Sequence, residues 1–503
     1  MWILTALDFA IIALYLAVVI GIGWAARRKV STAEDYYMGG RRFGRAMMIM
    51  YAFGAGTHAD NAVGVAGQSY KLGMTGIWYQ WILVFNTPFF WLLSPVFRRA
   101  RCMTTADFFE LRYGPSLGVL YACMGLVINW GYLGMALLGA AKLIEALTGG
   151  HVSLMTSMLL MTVAFLSYGI LGGVVAAIWN DFLQGGLTIL MSFLLLPFAW
   201  YKLGGLEGVR ASIPDPDRVF RLITPGEIGL FWIVATIVNQ MFSVVAQPHI
   251  MSNNAAGRTE LDNRIGFCVG VTLKRVCTVA WALAGVLAIG IYGPGKYEGD
   301  HVFGVLVRDL LPAGFAGLMI ASIMASVMDN GAVMSVGSAA LFTRNILKGK
   351  TLAPERELWI SRIFTGVFAV GSIGFASAVG DVPRAIRLMW NIVPLIGIAF
   401  WLGLWWRRAN RYGAWASFLA ATGTWMYGYW GLHWQGDAEL PYLITLYLGS
   451  GVLAGVVVSL LTPREPEWLL DRFYATIWTP IRRDDELNEL LPLLVKPGEV
   501  KHA

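Results

Sequence analysis

Charge is scarce in this sequence. Asp, Glu, Lys and Arg make up 14% of its 503 residues, against about 25% in an ordinary soluble domain. With 57% hydrophobic residues as well, a soluble fold would have too little polar surface to face water, and that class is excluded. Cysteine is scarce too. Cys102, Cys123, Cys268 and Cys277 form no CxxC pair and no Cys/His cluster, so neither a zinc site nor a disulfide framework is implied. HExxH, GxSxG, a nucleotide-binding loop and a selectivity-filter repeat are all missing, which argues against a membrane enzyme or a channel. No basic region precedes the first apolar run, which carries Asp8 and ends at Arg27-Arg28-Lys29. Residues 1–26 therefore read as a retained span rather than a cleavable signal. The net charge of +7 could suit nucleic acid. The basic residues flank apolar runs, however, and the positive-inside bias explains them, so no nucleic-acid partner is expected.

What is present is a series of apolar runs near the ~20 residues needed to cross a bilayer, and a mean hydropathy of +0.60. The sequence reads as an all-α polytopic membrane protein. Thirteen spans are expected, at 3–26, 44–70, 75–97, 116–147, 152–171, 174–201, 227–250, 263–292, 313–343, 357–379, 384–406, 412–432 and 441–462. Residues 301–311 read as a short external amphipathic helix. Lys and Arg cluster after the first, third, seventh, ninth and eleventh spans, which places the N-terminus outside and the C-terminus in the cytoplasm. The expected setting is multi-pass in a cell membrane (the inner one in a bacterium), with the lipid bilayer as partner. The expected organisation is one transmembrane domain, 1–462, followed by a cytoplasmic tail, 463–503. The sequence indicates no oligomeric state.

Several polar residues sit where an ordinary span would carry leucine. The second span holds "AFGAGTHADNAV", residues 52–63. Its glycines favour unwinding, and His58, Asp60 and Asn61 supply hydrogen-bonding groups beside the break. Non-helical backbone at this depth needs protein or a water-filled cavity around it. The seventh span holds "NQMFSVVAQPHIM", residues 239–251, in which Pro248 interrupts the helical ladder and Asn239, Gln240 and Gln247 add polar groups. Two interrupted helices in corresponding positions point to a transporter site between inverted repeats. The repeats would be 44–201 and 227–406, five helices each, with 412–462 as extra helices. Asp181 in the sixth span, Lys274 in the eighth, and Asp329 with Asn330 in the ninth are also deep. Groups of this kind mark pathways, relays or structural pairs. A buried carboxylate needs a cation. Either Na⁺ sits on Asp329 and Asp181, or Lys274 or Arg275 pairs with one of them, or a proton does. Asp60, Asn61, Asn239 and Lys274 could face one cavity with His58, joined by Gln80 and Asn86 of the third span and Asn129 of the fourth. Lys274 or Arg275 would favour an anionic or zwitterionic solute.

Several motifs resemble those of the sodium:solute symporter family. They are "DYYMGGRRFG" (35–44), "AVGVAGQSYKLG" (62–73), "MTTADFFELRYG" (103–114), "GGVVAAIWNDFLQG" (172–185) and "LFTRNIL" (341–347). "QPHI" (247–250) and "LGAAKLIEAL" (138–147) are most similar to the branch carrying proline, pantothenate and monocarboxylates. The resemblance covers about residues 5–460. It implies a leucine-transporter-like fold and cation-coupled secondary symport of a small organic solute by alternating access, with Na⁺ as coupling ion and no organic cofactor. It also implies an Na⁺ site built from the backbone carbonyls of Gly54, Thr57 and Ser326. Two Ser/Thr hydroxyls complete that site in the family, and Asp329 and Asn330 stand in their places. Asp181 matches the aspartate of a second ion site in some members. With a carboxylate in the ion site, proton coupling, ion-independent transport and a transport-inactive sensor or scaffold are the alternatives.

Overall fold

The fold was analysed in a computed structural model. It describes residues 5–26, 43–54, 57–100, 102, 104–248, 250, 254, 256–347 and 354–479. Within its helices, the side chains of 20, 23, 24, 26, 167–177, 329, 354, 355, 357 and 358 lie outside the described residues. So do the basic clusters at 27–29 and 41–42 and the tail beyond Thr479.

Helices account for all the regular elements among the described residues. In chain order they are α1 (Ala6–Ala26), α2 (Arg45–Gly54), α3 (Ala59–Leu72), α4 (Thr87–Ala100), α5 (Thr105–Tyr113) and α6 (Pro115–Leu147). Then come α7 (Leu154–Leu203), α8 (Leu230–Ala246), α9 (Glu260–Tyr292), α10 (Gly299–Leu310), α11 (Phe315–Ala340) and α12 (Pro354–Val379). Last are α13 (Val382–Ile392), α14 (Pro394–Trp405), α15 (Arg411–Met426), α16 (Leu440–Leu461) and α17 (Glu467–Trp478). Among the described residues, 8 helices are long and apolar enough to cross a membrane. Large apolar side chains such as Leu14, Val163, Trp359, Val367 and Leu453 face outward. In water such a surface would drive association, and in a bilayer it meets lipid.

Both expected interruptions are present. α2 stops at Gly54, and the chain re-enters a helix at Ala59. α8 stops at Ala246, and Gln247 is extended before Pro248. Tyr121 on α6 donates its hydroxyl to the freed carbonyl of Ala246 at 2.5 Å, so that α8 terminus is capped from a neighbouring helix. The short amphipathic helix expected at 301–311 is present as α10. The expected third span is less regular than its apolar run implied: 3₁₀ turns at Gly73–Ile77 and Ile82–Asn86 flank a single α-turn before α4. The expected fifth and sixth spans differ as well. A turn near 171–173 is replaced by continuous helix through α7. No proline falls in 167–177, and the Gly172–Gly173 pair costs a helix only about 2 kcal/mol.

Glycines let the helices close around the first break. On α9, Gly266 lies against Met48 and Gly270 against Ile49 and Phe53, so a side chain at either position would strike α2. This four-residue spacing of small residues permits close helix contact in a membrane. Gly285 further along α9 meets the Ala66 carbonyl of α3, and Gly139 of α6 lies against the backbone of Asp60. The N-terminus of α11 is held by Asp8 of α1, whose Oδ1 accepts from the Gly314 and Gly317 amides, each at 2.8 Å. These are two of the N–H groups that a helix N-terminus otherwise leaves without partners.

The segment after 462 was expected as a polar tail. Its first part is α17, which packs back on the bundle. Arg99 of α4 binds both carboxylate oxygens of Glu260 on α9 at 2.7 and 2.8 Å and donates to the Ile477 and Trp478 carbonyls of α17.

Candidate ion and solute site

The unwound residues between α2 and α3 gather oxygen donors. The Thr57 amide bonds the Gly54 carbonyl at 2.9 Å. The Thr57 hydroxyl donates to the Phe53 carbonyl. Ser326 of α11 donates its hydroxyl to the Thr57 carbonyl at 2.8 Å, and Asn330, one turn on, donates its amide to the Ser326 carbonyl at 3.0 Å. Asp181 of α7 is 2% exposed and lies directly against Gly54, where a Cβ would collide with its carboxylate. Gly54, Thr57, Asp181, Ser326 and Asn330 therefore converge on the break. Asp329 belongs to the same helix by its backbone, and its side chain lies outside the described residues. Carbonyl, hydroxyl, amide and carboxylate oxygens are the donors that hard cations prefer. Each carbonyl oxygen has two lone pairs, so Gly54 and Thr57 keep one each after their internal bonds.

On the other side of the break is a cavity of about 120 Å³. His58, Asp60 and Asn61 enter it from the start of α3, Gln80 and Asn86 from the irregular third span, and Lys274 from α9. Arg275, Gln240 and Gln247 reach it too. The Asn61 side chain closes onto the His58 carbonyl at 3.1 Å, which fixes the first turn of α3. The Asp60 carboxylate and the Lys274 ammonium attract one another across the cavity. The Arg275 guanidinium binds two oxygens of Gln80, the carbonyl at 2.8 Å and the side-chain Oε1 at 2.7 Å. Trp390 forms part of the cavity wall. It packs in an aromatic group with Tyr79 and Trp232, with ring centroids 5.5 to 6.1 Å apart. The Tyr79 hydroxyl donates to Asp437 at 2.7 Å, and Arg387 bonds both. Phe90, Ile250 and Phe267 line the cavity as well. A smaller cavity of about 40 Å³ lies behind His58, lined by Thr57, Ser192, Trp281, Ser322 and Ser326.

Two residues expected at the solute site are placed elsewhere. Asn239 is fully buried between helices. Its amide donates to the Trp390 carbonyl at 2.8 Å, and its Oδ1 accepts from Tyr447 at 2.7 Å. The Asn129 amide donates to Ser338 Oγ on α11 at 3.1 Å. Both spend their polarity on neighbouring helices rather than on the cavity. Tyr132 and Trp390 are among the wall residues without a sequence signal, as are the apolar Phe90, Phe267 and Met389. Gln240 and Gln247 were marked by the polar run at the second break.

The model of the sodium:solute symporter family matches residues 36–421. This chain belongs to that family. Its members are transporters rather than enzymes, and membership makes this family member a multi-pass membrane protein that couples Na⁺ to the movement of a small solute. Curated relatives include the sodium/pantothenate symporter of Haemophilus influenzae, 25% identical over 82% of this chain and 88% of that protein. The sodium/glucose cotransporter of Vibrio parahaemolyticus is 24% identical over 82% and 83%. The sodium/proline symporter of Haemophilus influenzae is 26% identical over 80% and 84%. Among solved structures, an Na⁺-coupled sialic acid symporter in its substrate-bound outward-open state superposes with a TM-score of 0.79 at 16% identity, over 92% of this chain and 99% of that one. The nucleobase-cation symporter Mhp1 gives 0.59 at 10% identity, over 89% and 99%. These likenesses establish the leucine-transporter type of fold.

Proposed function

We propose that this protein moves its solute through the 120 Å³ cavity by alternating access, with Na⁺ held at the adjoining break. The observation that carries the reading is the set of oxygen donors gathered at the first helix interruption, with Ser326 on the Thr57 carbonyl and Asp181 against Gly54, beside a cavity that Gln247 of the second interruption also lines. Na⁺ would take the spare lone pairs of the Gly54 and Thr57 carbonyls together with Ser326, Asn330 and the carboxylates of Asp181 and Asp329. Solute would contact His58, Asp60, Asn61, Gln80, Asn86 and Lys274. Ion binding would draw α11 and α7 onto the break between α2 and α3, and so shape the start of α3 for solute. This is the physical form that coupling takes here, because each ligand then binds better to the state the other favours.

In this reading the aromatic group of Tyr79, Trp232 and Trp390, fastened by Arg387 and Asp437, is the closure on the external side. The opposite closure is polar. Arg98 donates to the carbonyls of Gly257 and Arg258, and Phe43 pairs with the same strip of backbone through Arg258. Alternation exchanges one closure for the other. The repeats 44–201 and 227–406 supply one break each.

The relatives are named for pantothenate, glucose and proline, an acid, a sugar and an amino acid, so kinship leaves the solute class open. Purified protein in liposomes tests the reading. An inward Na⁺ gradient should drive solute above its equilibrium level. Uptake indifferent to both Na⁺ and pH would reject coupling by either ion.

A further inference from the structure

Arginines crowd the start of α9, and the carboxylates there are already taken. Glu260 is bound by Arg99 through both of its oxygens. Asp262 is shared by Arg45 and Arg258, at 3.3 and 3.7 Å. Arg98 donates to the Gly257 and Arg258 carbonyls. Arg264, one turn further along α9, is half-buried and makes no hydrogen bond or ion pair among the described residues. Its Nε is buried without a partner. Its guanidinium carbon lies 5.4 Å from the centroid of the Trp91 ring on α4. Trp91 is exposed, as are Leu92 beside it and Leu261 and Val269 on α9. Arg264 therefore sits at the seam between α4 and α9, on a surface that meets lipid. It follows Glu260 by four residues, and Trp91 precedes Arg99 by eight. At 1.5 Å per residue, the guanidinium lies about 6 to 12 Å from the Arg99–Glu260 pair toward the middle of the bundle. Positive-inside bias accounts for a basic residue at a helix end. It does not account for a guanidinium turned inward along a lipid-facing seam, where a charge without a partner is costly.

We propose that Arg264 and Trp91 bind the headgroup of an anionic phospholipid. The lipid phosphate supplies the missing counter-charge, and a guanidinium holds phosphate oxygens with two parallel hydrogen bonds. Indole rings settle at headgroup level in a bilayer, so Trp91 takes the glycerol region, while Leu92, Leu261 and Val269 meet the acyl chains. Arg45 and Arg258, with side chains 53% and 64% exposed, add attraction for an anionic headgroup at longer range. The apolar rim selects a lipid over free phosphate, which would have to leave water to reach Arg264. A lipid seated there bridges α4 and α9 beside the Gly257–Arg258 backbone that Arg98 holds, at the closure opposite the aromatic group.

Thermal unfolding of the purified protein in phosphatidylcholine nanodiscs, with phosphatidylglycerol added in steps at fixed NaCl, tests the site. Phosphatidylglycerol should raise the unfolding temperature saturably, and inorganic phosphate or glycerol 3-phosphate in excess should not. Arg264→Gln should need about fivefold more phosphatidylglycerol for the same protection. In phosphatidylcholine alone it should unfold no lower than the parent, because the charge it removes has no partner there. Arg356→Gln removes an exposed charge at the start of α12 and should keep the parent's response. Native mass spectrometry gives a second readout, in which Arg264→Gln should retain one fewer tightly bound phosphatidylglycerol. An equal response to phosphatidylglycerol in the parent and Arg264→Gln overturns the proposal. So does an equal loss in Arg264→Gln and Arg356→Gln, which marks diffuse attraction to an anionic surface. Protection by free phosphate equal to that by the lipid overturns it as well, and so does a lower unfolding temperature of Arg264→Gln in phosphatidylcholine alone, which assigns Arg264 to the fold.

Discussion

Replacing Gly54 by alanine perturbs the proposed ion site without removing any ligand. The added Cβ would lie closer than 3.0 Å to the Oδ1, Cγ and Cβ atoms of Asp181. Contacts so short are not sustained, and the carboxylate has to move away from the break. Overpacking of this kind costs about 1–3 kcal/mol. If the cost falls wholly on the ion-bound state, the Na⁺ concentration for half-saturation rises about 5- to 150-fold, at ~1.4 kcal/mol per factor of ten. The assay is Na⁺-dependent thermal stabilisation of purified protein, with KCl holding ionic strength constant, which needs no knowledge of the solute. Gly337→Ala is the matched control. It lies on the same helix as Ser326, with nothing within 4 Å of the added atom, and should leave the Na⁺ response unchanged. A Gly54→Ala protein that folds and responds to Na⁺ like its parent would refute the placement of Asp181 at the ion site.

Asp8→Ala removes the acceptor for two amides at the start of α11 and should destabilise the protein by about 1–2 kcal/mol, read as a lower unfolding temperature. Tyr447→Phe frees one hydrogen bond to Asn239. It should cost about 1–2 kcal/mol while leaving the solute KM unchanged, since neither residue lines the cavity. Burial holds the Asp300 carboxyl above the ordinary aspartate value of 3.8, although it accepts from the Val382 amide at the start of α13. A raised acid favours folding most when protonated, so its contribution is full below 3.8 and is lost as pH rises through the raised value. Asp300→Asn keeps an acceptor for Val382. It should unfold at the same or a higher temperature at neutral pH, with a flatter dependence on pH above that range.

Much of the fold was legible because a bilayer constrains it so strongly. Apolar length marked the helices, and both breaks stood out through Gly54 and Pro248. Polar residues at depth led to the cavity when they flanked a break, as His58, Asp60 and Asn61 do. Asn129 and Asn239 carried the same signal and went elsewhere. A buried amide looks the same in sequence whether it serves a solute or a neighbouring helix, and the partner of Asn239 is Tyr447, 208 positions on. Lys274 and Arg275 posed a similar ambiguity. The sequence left open which of them pairs with an aspartate, and in the structure neither makes a contact ion pair among the described residues. The 3₁₀ turns of the third span and the docking of α17 were not legible. The turns follow packing against α3, α8 and α9, and α17 depends on Arg99, more than 360 residues before it.

The central claim is coupling, and coupling is reciprocal. Labelled Na⁺ flux into proteoliposomes, driven only by an inward gradient of the solute that best protects the protein against heat, tests it most directly. The account predicts Na⁺ accumulation that follows the solute gradient and is weakened in Gly54→Ala. A solute that enters while Na⁺ stays at its control level contradicts it.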